Sequence, residues 1–161
     1  MKIAVIAVGK LKERYWKEAL AEYVRRLSAY ARIEVIELPD RGSQTGSPKQ
    51  VADTEGEEIL KCLQQLGTQG GNVYVIALDG RGKQLSSEGV SRRIDELKLR
   101  GKSRLVFIVG GSHGLSSTVL SNADEALSFG EQTWPHNMAR IMLAEQLYRA
   151  FAISSNHPYH K

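Results

Sequence analysis

The apolar residues of this chain follow two alternating periods, and that alternation limits the fold more than any other feature. Lys2–Val8 (KIAVIAV) is a continuous apolar run closed by Gly9, the pattern of a buried strand. Over Lys12–Tyr30, Tyr15, Trp16, Ala19, Leu20, Tyr23, Val24 and Leu27 recur at steps of one, three and four, the stripe of an amphipathic helix. Ile33–Leu38 (IEVIEL) reads as a strand with one wet face, stopped by Pro39. Arg41–Pro48 is a polar loop with two glycines. A helix follows with Val51, Ile59, Leu60, Leu63 and Leu66 on its inner face, ending at Gly67–Gly71. Val73–Leu78 is a strand and Asp79–Gln84 (DGRGKQ) a glycine-rich loop. Ser86 or Ser87 caps a helix carrying Val90, Ile94 and Leu97, and Arg104–Val109 (RLVFIV) is another strand. The pattern βαβαβαβ predicts one α/β domain over residues 1–161, with a mainly parallel sheet and helices on both faces. The last third is less regular. It holds a short helix over Ser116–Ala123, a brief strand over Ala126–Phe129, a loop, and a long helix over Met138–Ile153 whose apolar residues fall on more than one face.

Composition narrows the function classes. Of 161 residues, 42% are hydrophobic and 25% charged, so the chain can build a core without staples. The longest apolar run, Ile3–Val8, is far below the ~20 residues of a membrane span and too short for a signal-peptide core, so a cytoplasmic, membrane-free protein is expected. The single cysteine, Cys62, excludes an internal disulfide and a cysteine-based zinc site. His113, His136, His157 and His160 form no metal-binding spacing, so no metal is expected. The net charge of +4 permits a nucleic-acid partner without demanding one.

Ligands of open parallel sheets bind beyond the carboxyl ends of the strands. Two glycine-bearing segments stand there, Asp79–Gln84 and Gly110–Gly114 (GGSHG). The second is GGxxG and lacks dinucleotide-fingerprint spacing, and no phosphate-binding Gly-Lys-Ser/Thr loop exists. Glu145 and Arg149 stand four apart on the last helix, either as a plain ion pair or as a pair facing substrate. Tyr159, His160 and Lys161 combine an aromatic ring with polar and basic groups, a set suited to stacking on a base with phosphate contact.

Five blocks stand in fixed order: VGKLKERYW (Val8–Trp16), FIVGGSHGL (Phe107–Leu115), LSFGEQTWPH (Leu127–His136), RIMLAEQLYRA (Arg140–Ala150) and HPYHK (His157–Lys161). With them the whole chain resembles the RlmH family of ribosomal RNA large subunit methyltransferases, in the SPOUT superfamily. That resemblance implies an α/β fold with a C-terminal trefoil knot, a homodimer, and S-adenosyl-L-methionine as cofactor. The implied reaction is methylation of N3 of a pseudouridine in helix 69 of 23S rRNA, on the assembled ribosome. Leu78, Gly110, Phe129, Gly130, Glu131, Gln132, Thr133 and Trp134 match the cofactor-binding positions. Glu145, Arg149, Tyr159 and His160 match residues expected near the RNA target. The N3 proton must leave, and His136, Glu145 and His160 are candidates to accept it. The alternative is a ribosome- or RNA-binding factor on the same fold that lacks the cofactor reaction.

Overall fold

The two sides of each central strand feed two separate cores, and the fold follows from that division. The computed structural model describes residues 1–42, 46–68 and 72–160. The element order is β1 (Lys2–Val8), α1 (Arg14–Leu27), β2 (Arg32–Leu38), α2 (Pro48–Thr68), β3 (Val73–Gln84), α3 (Ser87–Leu99), β4 (Arg104–Val109), α4 (Ser117–Asn122), β5 (Glu125–Ser128) and α5 (His136–Ser154). All pairings are parallel, in the order β2-β1-β4-β3-β5. Ile3, Val5 and Ala7 of β1, with Leu105, Phe107 and Val109 of β4, share a core with α1, α3 and α5. Ala4, Ile6 and Val8, with Val106 and Ile108, share the other with Ile59, Cys62 and Leu66 of α2 and Val119 of α4. Burial on both faces is why β1 and β4 read as unbroken apolar runs. The mainly parallel sheet with helices on both faces is as expected from the sequence.

Three local expectations change. β2 has no single wet face: Ile33 and Val35 pack into one core, Ile36 and Leu38 into the other, and Glu34 and Glu37 fall on opposite sides. It is an edge strand, half covered on each face. Asp79–Gln84 is no free loop, because β3 runs on to Gln84 after an irregularity between Leu78 and Lys83 and pairs again with Leu127 and Ser128. A Cβ on Gly82 would stand 2.6 Å from the Ala126 carbonyl carbon, so only glycine lets these backbones approach so closely. The first helix is shorter than the expected Lys12–Tyr30 segment, starting at Arg14 and ending at Leu27, and it covers the whole apolar stripe. Gly70, Gly71 and the centre of the Arg41–Pro48 segment lie outside the described residues, as does Lys161.

α5 follows the edge strand β5 yet packs against both α1 and α3. That placement is consistent with the C-terminal knot implied by the resemblance. No residue from His136 to Ile153 is exposed, so the chain's own helices already cover much of this multi-faced apolar helix. A second copy is therefore not needed to explain its composition.

Arg140 anchors α5. Its side chain is fully buried and donates to Glu37 Oε1 at 2.8 Å, to the Gly9 carbonyl at 2.8 Å and to the Val8 carbonyl at 3.2 Å. Burial pulls the guanidinium pKa below its ordinary value while Glu37 opposes the shift. Arg140→Met should leave the Glu37 carboxylate without its cation and two carbonyls without this donor. We expect a loss of about 3 kcal/mol, read from the midpoint of urea unfolding at unchanged m-value.

Candidate functional site

Three strands end in one row. Leu78 of β3 pairs in register with Val109 of β4 and with Leu127 of β5. This row floors a cleft of about 290 Å³, near the lower bound of small-ligand sites. The loop after β4 forms one wall and the segment after β5 the other. Leu78, Gly110, Phe129, Gly130, Glu131, Gln132, Thr133 and Trp134 all line it, as does His136 at the start of α5. Asp79 and Ser112 line it too, within the two glycine-bearing segments at the strand ends, as do Ser128, within LSFGEQTWPH, and Ala139, which lies in none of the motifs. For Asp79 the available signal is its position directly after the strand row.

The walls are held by backbone. The Gly114 N–H donates to the Gly111 carbonyl at 3.1 Å, and Gly114 takes a φ of +74° that favours glycine. A Cβ on Gly110 would stand 2.9 Å from the Gly114 carbonyl group. The glycine is thus required by the loop closing on itself, before any ligand is considered. On the opposite wall Gly130 has φ +110°, and its N–H donates to Ser128 Oγ at 3.1 Å. Arg81 donates to Asp79 from its backbone at 2.9 Å and its guanidinium at 2.8 Å, which holds the Asp79 carboxyl below its usual range. A carboxylate therefore borders an otherwise apolar floor.

The remaining sequence-derived residues form a second, separate cluster, and none lines the cleft. Asn156, in the left-handed region at φ +52°, ends α5, and the His157 N–H returns to the Ala152 carbonyl at 2.8 Å. This turn lays the tail back on α5. Tyr159 meets Tyr148 edge-on at 4.7 Å, and the Arg149 guanidinium lies 4.8 Å from the Tyr159 ring centre. Tyr159 donates its hydroxyl to Glu145 Oε1 at 3.1 Å, and Arg149 donates to the same oxygen. His160 Nδ1 is 3.3 Å from Arg149, and its Nε2 is 2.8 Å from Glu88 Oε1. Burial, helped by the hydrogen bonds with Tyr23 and Glu145, pushes the Tyr159 phenol up to about 12. The tail is docked, and much of the Tyr159 ring is already engaged within the chain. Among the described residues, no group of three or more His, Cys, Asp or Glu could hold a metal ion, and no helix is long and apolar enough to cross a membrane.

Beneath the GGSHG loop lies a residue that no motif in the sequence marks. Glu55 of α2 is 2% exposed, and its Oε1 accepts the Arg41 N–H at 2.9 Å. Its Oε2 has no partner among the described residues and would be 2.9 Å from a Cβ on Gly111. Glu55 thus fills the space that a side chain at Gly111 would need.

Comparison with known proteins gives three findings. A family model described as "Predicted SPOUT methyltransferase" matches residues 1–160. The chain is 50% identical to the Ribosomal RNA large subunit methyltransferase H of Carboxydothermus hydrogenoformans and 44% identical to that of Clostridium botulinum, each over 100% of both chains. Among solved structures, it is similar to the SpoU methyltransferase AviRb of Streptomyces viridochromogenes in complex with AdoMet. That match has 10% identity and a TM-score of 0.48, and covers 92% of this chain and 57% of the other.

Burial raises the Glu55 pKa, so the folded chain holds this proton more tightly than the unfolded chain does. Stability should therefore fall as pH rises from the ordinary carboxylate range through the folded value. Thermal unfolding of the parent and Glu55→Gln across mildly acidic to neutral pH checks this. The parent should show the decline, and the Gln variant should lose that part of the pH dependence.

Proposed function

This chain belongs to the SPOUT methyltransferase family, and from that premise we propose that it transfers a methyl group from S-adenosyl-L-methionine to 23S rRNA. The target we assign is N3 of a pseudouridine in helix 69 on the assembled ribosome. The observation that carries the reading is the cleft at the carboxyl ends of β3, β4 and β5, in a chain matched end to end by large-subunit rRNA methyltransferases.

The residues present fit the cofactor. Leu78, Val109, Leu127 and Phe129 offer an apolar bed for an adenosyl group, and the two glycine-bearing walls bring backbone donors and acceptors close to it. The ionised Asp79, its side chain only 14% exposed, and the carboxyl of Glu131 border the bed, where they favour cationic charge. When bound, S-adenosyl-L-methionine supplies a methyl group activated on a sulfonium. The chain then has to orient two reactants and exclude water, which needs no metal or protein nucleophile.

His136 is the group we assign to take the N3 proton. It is the only one of the three candidate acceptors that lines the cleft, since Glu145 and His160 are committed to Arg149, Tyr159 and Glu88. Glu145, Arg149, Tyr159 and His160 serve as one rigid polar block that contacts the RNA through its outer edge. The protein works as a homodimer, as the family resemblance implies, a reading supported by Trp134, a large aromatic side chain that stays 37% exposed.

Calorimetry with S-adenosyl-L-methionine tests the cofactor site and separates the enzyme from a cofactor-free RNA-binding factor. Gly80 lines the cleft, and a Cβ there meets nothing within 4 Å. Gly80→Val should weaken binding ten-fold or more at unchanged melting temperature, whereas Gly110→Val should lower the melting temperature itself. Equal affinity in Gly80→Val and parent would move the cofactor elsewhere.

Deleting residues 159–161 tests the division of labour between the clusters. Cofactor affinity should stay within about two-fold, and methylation of ribosomes should fall about ten-fold or more. Loss of cofactor binding in the folded, truncated protein would place the tail on the cofactor instead.

A further inference from the structure

Between β1 and the body of α1 the chain carries charges with no evident structural use. Gly9 leaves the sheet beside the cleft, and a Cβ there would lie 3.4 Å from His136 Nε2. The next residues are therefore at the rim of the site. Leu11 is buried and its N–H donates to Glu37 Oε1 at 3.2 Å, which fixes the path of the segment. The side chains on either side of that anchor point outward: Lys10, Lys12, Arg14, Tyr15 and Lys17 are all exposed. Among the described residues no carboxylate pairs with Lys10, Lys12 or Lys17. Arg14 pairs with Glu18, but their side chains are 90% and 61% exposed, so the pair holds little. Counting Glu13 and Glu18, residues 10–18 still carry a net charge of +2, four cations against two anions.

The start of α1 runs against helix chemistry. Its N-cap, Glu13, makes no side-chain capping bond, and its first turn holds Arg14 and Lys17 with no acid. Cations at the positive end of a helix cost stability, and such a local conflict is expected where a ligand repays it. Tyr15 stands in the middle of these cations, 62% exposed and braced by Trp16 with ring centres 5.0 Å apart. An open aromatic face among unpaired lysines is the combination that binds single-stranded nucleic acid: phosphates take the cations and a base takes the ring. Lysines are depleted from the cores of protein–protein interfaces, so the same surface suits a second protein poorly.

We propose that Lys10, Lys12, Tyr15 and Lys17 form an RNA-docking surface beside the cleft, with Tyr15 stacking on an unpaired base and the lysines holding the flanking phosphates. The proposal rests on the rRNA methyltransferase reading and adds to it where the RNA is gripped outside the reacting site. The docked tail cluster lies along α5 with Glu88 of α3 and reaches Tyr23 of α1, whereas this surface stands at the exit of β1 and the first turn of α1.

The test uses the full chain and bacterial ribosomes that lack the methyl group, with binding measured over a range of KCl concentrations. Tyr15→Ala should weaken binding about ten-fold at every salt concentration, and Tyr15→Phe should restore it. Lys10→Gln with Lys12→Gln should reduce the slope of log affinity against log salt by about two, one for each phosphate that the variant leaves unneutralised. All variants should keep the parent's melting temperature, S-adenosyl-L-methionine affinity and sedimentation. Parent-like ribosome binding and methylation in both Tyr15→Ala and the lysine double variant would overturn the proposal and leave the methyltransferase reading intact. A smaller sedimenting species for Tyr15→Ala would overturn it in favour of a contact between copies. A parent that neither binds nor methylates ribosomes would overturn the methyltransferase reading, and this surface with it.

Discussion

One buried guanidinium ties the C-terminal helix to the sheet. Arg140 lies with no exposed surface between α5, the end of β1 and the carboxylate of Glu37 on β2. A charge in that position is tolerated because its two terminal nitrogens meet three acceptors, one of them a carboxylate, although its Nε has no partner among the described residues. The consequence is positional. With Arg140 fixed at the exit of β1, the first turn of α5 is held over the strand ends, so His136 and Ala139 line the cleft. The same contacts orient Gly9, from which the basic segment of residues 10–17 departs.

The cleft depends on backbone more than on side-chain chemistry. Its floor is a single register row of Leu78, Val109 and Leu127, and its walls are two turns that need glycine at 110, 114 and 130. Such a surface can approach a flat, partly apolar ligand closely without presenting a nucleophile or a metal. Methyl transfer from a sulfonium asks for that and for little else, because the leaving group is already activated. The charged chemistry is kept off the floor itself: Asp79 and Glu131 line the cleft beside it, and Glu145, Arg149, Tyr159, His160 and Glu88 satisfy one another along α5 and α3. Glu55 is the exception, a poorly satisfied carboxyl beneath the loop after β4 that trades stability for the close approach at Gly111.

Much of the fold was legible because the two apolar periods report burial directly. Each central strand appeared as an unbroken apolar run, and α1, α2 and α3 as stripes. The GGSHG segment stood out because glycines directly after a strand mark a place where backbone must approach something. The cofactor-side positions came from ordered motifs rather than from periodicity. Periodicity said nothing about which of His136, Glu145 and His160 stands apart from the others. Their separation depends on the tail turning at Asn156 and docking on α5, a contact between residues more than ten positions apart.

Local pattern in this chain determined the number and kind of its elements, the parallel character of the sheet, and the segments that end beside a possible ligand. Only the tertiary structure decided how those pieces meet. Asp79–Gln84 looked like a loop because its residues are polar and glycine-rich, yet it is strand, since the neighbouring backbone of β5 supplies the pairing. IEVIEL looked one-sided because of its glutamates, yet it packs on both faces, since it closes the edge of the sheet. Arg140 opens a block of the last helix with nothing local to mark it and is the most deeply buried charged residue among those described. In each case the deciding term is a hydrogen bond or a desolvation shared with a residue distant in the chain. Hydrophobic periodicity records how much of a side chain is buried; it carries no record of which partner does the burying.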